Sequence, residues 1–188
     1  YWTDMDLSVV IPAHNEEHTL SRQLDALVMQ EWDGNWEIIV VDNASTDRTA
    51  EVVAAAQARN GRIRLISETT LGLCHARNAG IRAATASAIA VCDADDLVSD
   101  RWVAAMGEAL KHHDFVTGPQ ELDRLNEAWL AASRGRNDMT TAPTFRSLFP
   151  FPNGNNFGLK KGVIAQVGEF DQAYIGAEDV EFGLRAWI

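Results

Sequence analysis

Cysteine and positive charge are both scarce in this sequence. Only Cys74 and Cys92 occur among 188 residues, so they cannot build a disulfide framework, and no Cys-x-x-Cys pair indicates a zinc site. We therefore expect two small buried residues in a reducing compartment. The sequence has 16 lysines and arginines but 27 aspartates and glutamates, and the resulting net charge of -11 argues against nucleic acid as a partner.

Long apolar runs are also absent. Ile38–Val41 and Ala88–Cys92 fall far below the roughly 20 residues that a bilayer span needs, and no signal-like segment opens the chain. The chain begins at Tyr1 without methionine and stops at Ile188 within a helical pattern, so we expect a piece of a longer protein. We predict a cytoplasmic location, with any membrane association depending on segments outside this chain.

Strand and helix patterns alternate over the first two-thirds of the chain. Four apolar, β-branched segments predict strands, at Leu7–Ile11, Trp36–Val41, Ile63–Ser67 and Ala88–Cys92. Helix-period apolar positions lie between and after them, the last at Trp102–Leu110 with Ser99 as its N-cap. This alternation predicts an α/β fold with a parallel sheet.

The pattern changes after Phe115–Thr117. Three apolar residues predict one more helix, with Trp129 packed in the core rather than stacked on a ligand, as helical spacing also indicates for Trp102. Ser133–Thr144 has no apolar period and predicts a loop. The remainder predicts a turn at Pro152–Asn156, a short helix at Lys161–Val167 and a final helix that begins at Glu178. The apolar residues of the extra helix are Leu122, Leu125 and Trp129.

Polar residues follow three of the predicted strands, where open α/β sheets bind their ligands. They are Pro12–Glu16, Asp42–Asp47 and Asp93–Asp96. Neither G-x-G-x-x-G nor G-x-x-x-x-G-K-[ST] occurs, which disfavours dehydrogenases and P-loop enzymes. The three strand ends predict one polar crevice.

Asp93, Asp95 and Asp96 form the most acidic of these strand ends. Carboxylates this close repel one another, and a divalent cation would relieve that cost. Oxygen ligands favour Mg²⁺ or Mn²⁺ and leave coordination positions for substrate phosphates. The alternative is a solvated acidic turn that caps the next helix.

Five motifs, taken in order, resemble those of the family 2 glycosyltransferases. They are Val10–Glu16, Val40–Asp47, Gly72–Gly80, Asp93–Asp96 and Gly176–Asp179. The resemblance spans Leu7 to Arg185 and implies the GT-A fold, a Rossmann-like, mostly parallel sheet flanked by helices with a C-terminal acceptor-binding segment. It implies a single domain over 1–188, with a nucleotide-sugar-binding part at 1–118 and an acceptor and catalytic-base part at 119–188.

The resemblance also implies donor-binding residues. Those that would contact the nucleotide are Pro12, Ala13, His14, Glu16, Asp42, Arg77, Asp93, Ala94 and Asp95. Asp42 would accept from the pyrimidine N3–H, although an Asx-type cap of the following turn is the alternative. Arg77 would approach the base or the diphosphate, the alternative being a surface arginine. Asp95, with Asp93 or Asp96, would ligate Mn²⁺ or Mg²⁺, and the family pattern does not decide between the last two.

The C-terminal motif implies the catalytic pair. Asp179 would be the general base that deprotonates the acceptor hydroxyl, and Glu178 would hold the acceptor; a single displacement then inverts the anomeric centre. A plain acidic helix cap is the alternative. Four neighbouring residues would frame the donor sugar or acceptor, unless they form only a tight turn. They are Asn153, Gly154, Asn155 and Asn156.

The predicted function is that of an inverting, metal-dependent glycosyltransferase. It would move a sugar from a nucleoside diphosphate, with UDP favoured, to a hydroxyl on a saccharide, lipid-linked or small-molecule acceptor. One alternative is a nucleotidyltransferase of similar fold, which usually needs a glycine-rich basic loop where Pro12–Glu17 stands. The other is a non-catalytic sugar-nucleotide-binding module. A homo-oligomer is left open.

Overall fold

The computed structural model describes residues 5–134 and 141–188. Eight strands occur in chain order in this part of the molecule: β1 Leu7–Ala13, β2 Trp36–Asn43, β3 Ile63–Glu68, β4 Ala88–Cys92, β5 Phe115–Thr117, β6 Thr144–Phe145, β7 Phe149–Pro150 and β8 Asn156–Lys160. The helices are α1 Leu20–Val28, α2 Thr49–Arg59, α3 Leu73–Ala83, α4 Trp102–His112, α5 Ala128–Arg134, α6 Lys161–Val167 and α7 Glu178–Trp187. No described helix has the length and apolar character that crossing a membrane requires.

Six strands form one sheet in the order β3-β2-β1-β4-β8-β5, and β6 pairs with β7 in a separate hairpin. The first four strands pair in parallel, which confirms the predicted parallel α/β core. The predicted starts of these strands are correct, and β1 and β2 each continue two residues beyond their predicted ends. β8 runs antiparallel to both β4 and β5.

Helices cover both faces of the sheet, which is why its inner strands are apolar without alternation. Successive side chains of a strand point to opposite faces. Val9 and Ile11 accordingly pack with α1, α2 and α4, whereas Val10 packs with α3 and α7. Trp102 is buried in the first of these layers, and Cys74 and Cys92 are buried and free, as predicted.

Three local predictions are wrong. Ser99 was predicted as the N-cap of α4, but the N-cap residue is Arg101, and no described side chain caps this helix. Ser99 instead accepts from the Trp102 amide through its main-chain carbonyl. The helix predicted from Leu122, Leu125 and Trp129 is a turn followed by α5, which begins at Ala128. Trp129 is 70% exposed, so it does not belong to the core.

One strand start and one hairpin also differ from the prediction. Asn156, placed in a turn, begins β8, and the β6–β7 hairpin was not predicted. Arg146 and Ser147 both have positive φ at the tip of that hairpin, a conformation usually signalled by asparagine or glycine. The loop predicted at Ser133–Thr144 lies partly outside the described residues.

Candidate active site

A cleft of about 290 Å³ opens at the carboxyl ends of β1 and β4. The chain proceeds from β1 to β2 and β3 on one side and then returns to place β4 on the other, and crevices of α/β sheets form at such a reversal. The cleft is lined by Pro12, Ala13, His14, Glu16, Asn43, Leu71, Gly72, Leu73, Ala76, Asp93, Ala94 and Asp95. Seven of the residues predicted to bind the nucleotide therefore share one cavity.

The loop after β1 is held in place by the loop after β2. The amide of Glu16 donates to Thr49 Oγ1 at 2.7 Å, and the amide of Glu17 donates to Asp47 Oδ2 at 3.0 Å. His14 Nδ1 lies 2.7 Å from the carbonyl oxygen of Asn43, an atom that only accepts, so Nδ1 carries the proton of this bond. These contacts fix the rim that carries Pro12–Glu16.

Asn43 is a cleft residue that the sequence analysis missed. Its Nδ2 donates to the carbonyls of Glu68 and Thr70, at 3.1 and 2.7 Å, and its Oδ1 accepts from the Gly72 amide at 2.8 Å. Asn43 thereby anchors the segment that forms the opposite wall. The sequence signal for Asn43 is its position directly after Asp42 in the motif Val40–Asp47.

Asp42 lies at the end of β2, opposite Ala13 of β1, and is not among the residues lining the cleft. Its Oδ1 accepts from the Ser45 amide at 3.3 Å. This bond is the Asx-type contact that the sequence analysis named as the alternative.

Asp93 is the most perturbed acid of the cleft. Its Oδ1 is buried and has no hydrogen-bond partner in the described part of the chain. Burial raises the pKa of Asp93 to about 7; the Asp95 and Asp96 charges add to the rise, and Arg77 opposes it. A buried carboxylate with an unsatisfied oxygen is a group that a cation would stabilise.

The three aspartates have different surroundings. Asp95 is exposed at the cleft, whereas Asp96 Oδ2 accepts from Asn155 Nδ2 at 2.6 Å. Within residues 5–134 and 141–188, no three histidine, cysteine or acidic side chains lie close enough together to hold a metal alone. A cation here would take oxygens from Asp93 and Asp95 and the rest from the ligand or water, an arrangement common for Mg²⁺.

The turn before β8 reaches the same edge of the sheet because β8 runs antiparallel to β4, with Asn156 opposite Cys92. Trp102 Nε1 donates to Asn156 Oδ1 at 2.8 Å, and Asn156 Nδ2 donates to a main-chain carbonyl. Asn153 Nδ2 donates to the carbonyl of Gly118 at 2.8 Å. The side-chain amides of Asn153 and Asn156 therefore bind the protein itself.

Glu178 and Asp179 begin α7, and the structure gives them different partners. Glu178 is 7% exposed, and Arg77 Nη1 donates to its Oε1 at 2.6 Å. Asp179 is half-buried, and its Oδ1 accepts from the Val180 amide at 2.8 Å. Burial raises the pKa of Asp179, and the neighbouring Glu178 charge adds to the rise.

The two halves of the predicted site meet. The turn before β8 links them: Asn155 Nδ2 donates to Asp96 Oδ2 at 2.6 Å, and Arg77 donates both to the carbonyl of Gly154 and to Glu178 at the start of α7. Arg77 itself is buried between these groups and is not a surface arginine.

Known proteins resemble this chain in both sequence and fold. Residues 8–167 match the family described as "Glycosyl transferase family 2". The Escherichia coli protein named UDP-Glc:alpha-D-GlcNAc-diphosphoundecaprenol beta-1,3-glucosyltransferase WfgD is 33% identical over 102 residues, which are 54% of this chain and 38% of that protein. The chain spans about a third of the length of the first curated relatives that it matches.

Two solved structures share the fold. S. aureus TarS 1-349 in complex with UDP-GlcNAc has a TM-score of 0.73 at 20% identity, covering 97% of this chain and 53% of that one. Mannosyltransferase PcManGT from Pyrobaculum calidifontis, in complex with GDP-Man and Mn2+, has a TM-score of 0.72 at 24% identity, covering 98% and 52%. These similarities confirm the predicted GT-A fold.

Proposed function

This chain belongs to glycosyl transferase family 2, and from that premise we propose that it forms the donor-binding and catalytic part of an inverting glycosyltransferase. The observation that carries the proposal is the half-buried carboxylate of Asp179, which packs against Gly154, while the next residue, Asn155, donates to the strand-end carboxylate of Asp96. A base and a donor site must be adjacent for direct transfer to an acceptor hydroxyl.

The donor in this proposal is a nucleoside diphosphate sugar, with UDP as the favoured nucleotide. WfgD is named for UDP-Glc, and TarS is described with UDP-GlcNAc, although PcManGT is described with GDP-Man. The nucleotide would lie along Pro12–Glu16 and Asp93–Asp95, which line the cleft together. Asp42 would contact the pyrimidine through a carboxylate oxygen.

Mn²⁺ or Mg²⁺ fits the acidic strand end. Asp93 and Asp95 would hold it, because Asp93 has an unsatisfied buried oxygen, Asp95 is exposed in the cleft, and Asp96 already binds Asn155. When bound, the cation supplies positive charge that neutralises the departing diphosphate. The PcManGT complex is described with Mn2+, which supports a divalent cation in this family's fold.

Asp179 acts as the general base in this mechanism. Its carboxylate takes the proton of the acceptor hydroxyl as that oxygen forms a bond to the anomeric carbon, and the bond from that carbon to the diphosphate oxygen breaks. Attack from the face opposite the leaving group inverts the configuration. Because burial raises the pKa of Asp179, the carboxylate is a stronger base than an exposed aspartate.

The experiment that tests the donor class is calorimetric titration with UDP, GDP, dTDP and CDP, each with MnCl₂ and with EDTA. We expect metal-dependent binding that is tightest for UDP. Tighter binding of GDP would reassign the base contact at Asp42, and the absence of binding to all four would contradict the donor site.

The catalytic assignment is tested with Asp179→Asn and with Asp171→Asn as the matched control, since Asp171 is an exposed acid just before α7. We expect Asp179→Asn to bind UDP normally while releasing UDP from a sugar nucleotide about 10²-fold more slowly. The control should keep both properties. A near-normal rate in Asp179→Asn would place the base elsewhere, and UDP binding without any turnover of UDP-sugars would favour the non-catalytic module.

A further inference from the structure

Arg77 is the largest fully buried side chain that bears a charge in the described part of the chain; it is 1% exposed. Its Nη1 donates to Glu178 Oε1 at 2.6 Å, and its Nη2 donates to the carbonyl of Gly154 at 2.7 Å. The guanidinium also lies 5.8 and 5.5 Å from the ring centres of Phe157 and Phe170. Burying a guanidinium is costly unless it is paired and hydrogen-bonded, so these contacts define its position.

The contacts of Arg77 join three segments that are distant in the chain. Arg77 lies on α3, Gly154 lies in the turn before β8, and Glu178 begins α7, 101 residues after Arg77. Asp179 adjoins this cluster: a Cβ added at Gly154 would lie 3.1 Å from both Arg77 Nη2 and Asp179 Oδ2. The guanidinium and the Asp179 carboxylate therefore pack against the same stretch of backbone.

The burial of Arg77 and Glu178 argues against direct contact with substrates. Both terminal nitrogens of the guanidinium already have partners, and its Nε is buried without one among the described residues. The Arg77 charge also opposes the rise in the pKa of Asp179 and of Asp93. Arg77 is thus a buried charge that influences the pKa values of acids in both halves of the site.

We propose that Arg77 is a positioning residue that acts through Glu178 and Gly154 to orient the carboxylate of Asp179, and that neither Arg77 nor Glu178 contacts the donor or the acceptor. This inference rests on the proposed role of Asp179 as the base. It assigns to Glu178 a structural partner in place of the acceptor-binding role that the family resemblance implies.

The test compares Arg77→Lys, Glu178→Gln and the double variant in the full chain. Lysine keeps the charge but cannot make the two directed bonds of the guanidinium. We expect Arg77→Lys to lower kcat for UDP release from UDP-glucose, measured with MnCl₂, by at least about tenfold. The KM for UDP-glucose and the Kd for UDP should stay within about threefold, since the donor site is intact.

Two comparisons make the result specific. Arg82→Lys is the control, because Arg82 is also on α3 but is paired with Glu169 at the surface, and it should keep native kinetics. In the double variant, the loss in kcat should be close to the larger single loss, because two residues that act through each other are not additive. A tenfold rise in the Kd for UDP in Arg77→Lys, or additive losses in the double variant, would overturn the proposal.

Hydrogen exchange of the free protein tests the positioning step without any ligand. In Arg77→Lys, the amides of 176–181 should exchange faster than in the native chain, and those of β1 should be unchanged. If the Lys variant does not fold, Arg77→Met combined with Glu178→Leu removes both charges together. That variant should fold and bind UDP normally but show the same loss in kcat; native kcat or native exchange at 176–181 would overturn the proposal.

Asp179→Asn, measured beside these variants, separates this inference from the proposed function. If Asp179→Asn keeps the native rate, the base assignment fails and the role of Arg77 fails with it. If Asp179→Asn is inactive while Arg77→Lys keeps native kcat, the proposed function stands and only the positioning role is refuted.

Discussion

Neutralising Asp93 should make the stability of the protein less dependent on pH. Asp93 Oδ1 is buried without a partner in the described part of the chain, and burial raises the pKa of this carboxyl from 3.8 to about 7. The folded state therefore binds the proton more tightly than the unfolded chain does. The contribution of Asp93 to stability is therefore fully present below its unfolded pKa, decreases as the pH rises toward 7 and then stays level.

The expected size follows from the two pKa values. At about 1.36 kcal/mol per pH unit, a rise from 3.8 to about 7 corresponds to about 4 kcal/mol of unfolding free energy at most. Between pH 5 and pH 8 the Asp93 contribution changes by about 3 kcal/mol, because only the interval up to pH 7 contributes. Asn keeps the shape of the side chain and removes its charge.

Urea unfolding at pH 5, 6, 7 and 8, in EDTA, measures this effect. The native chain should lose about 2 to 3 kcal/mol more between pH 5 and pH 8 than Asp93→Asn does. Asp100→Asn is the control, since Asp100 is an exposed carboxylate in the same loop between β4 and α4, and the pH dependence of its unfolding free energy should match that of the native chain. Identical slopes for native protein and Asp93→Asn would refute the argument that Asp93 is a destabilised buried acid.

Three further changes have defined outcomes. Glu37→Gln should lower the free energy of unfolding at pH 7 by about 1 to 3 kcal/mol, because Glu37 is buried and accepts hydrogen bonds from Ser8 and Arg64. Although burial opposes them, these hydrogen bonds lower the pKa of Glu37. The difference between the variant and the native chain in urea unfolding should therefore shrink as the pH falls below 4.5. Gly80→Ala should lower Tm by at least several degrees, since a Cβ there would lie 2.2 Å from a Val10 methyl, whereas Gly162→Ala, with open space around it, should not. Asp95→Ala should abolish the gain in UDP affinity that MnCl₂ gives over EDTA in calorimetry; an unchanged gain would remove Asp95 from the metal site.

The parallel half of the sheet was predictable because its signals are local. β1, β2 and β4 are apolar on both faces, and the residues after them are polar, so both the sheet and its ligand edge follow from the sequence. β8 was missed because glycine and terminal polar residues dilute its pattern. The alternation of Phe157 and Leu159 was a usable signal, since both face the interior layer.

The Arg77–Glu178 pair could not be predicted for a different reason. The two residues are 101 positions apart, and nothing in either local sequence indicates a partner. An arginine on an alanine-rich helix resembles a surface residue, and an acid at the start of a helix resembles a cap. The partners meet through tertiary structure, since β8 pairs with β4 and Arg77 bonds both the Gly154 carbonyl before β8 and Glu178 at the start of α7.

The position of β8 also bears on how the chain is made. On the ribosome, β1 to β4 can assemble as soon as they emerge, but the outer edge of β4, Ala88–Cys92, pairs only with Asn156–Lys160. The 68 residues from Asp93 to Lys160 take about 3 to 14 s to synthesise. During that interval the backbone edge of a strand with only apolar side chains is unpaired, which is the type of surface that recruits other nascent chains or chaperones.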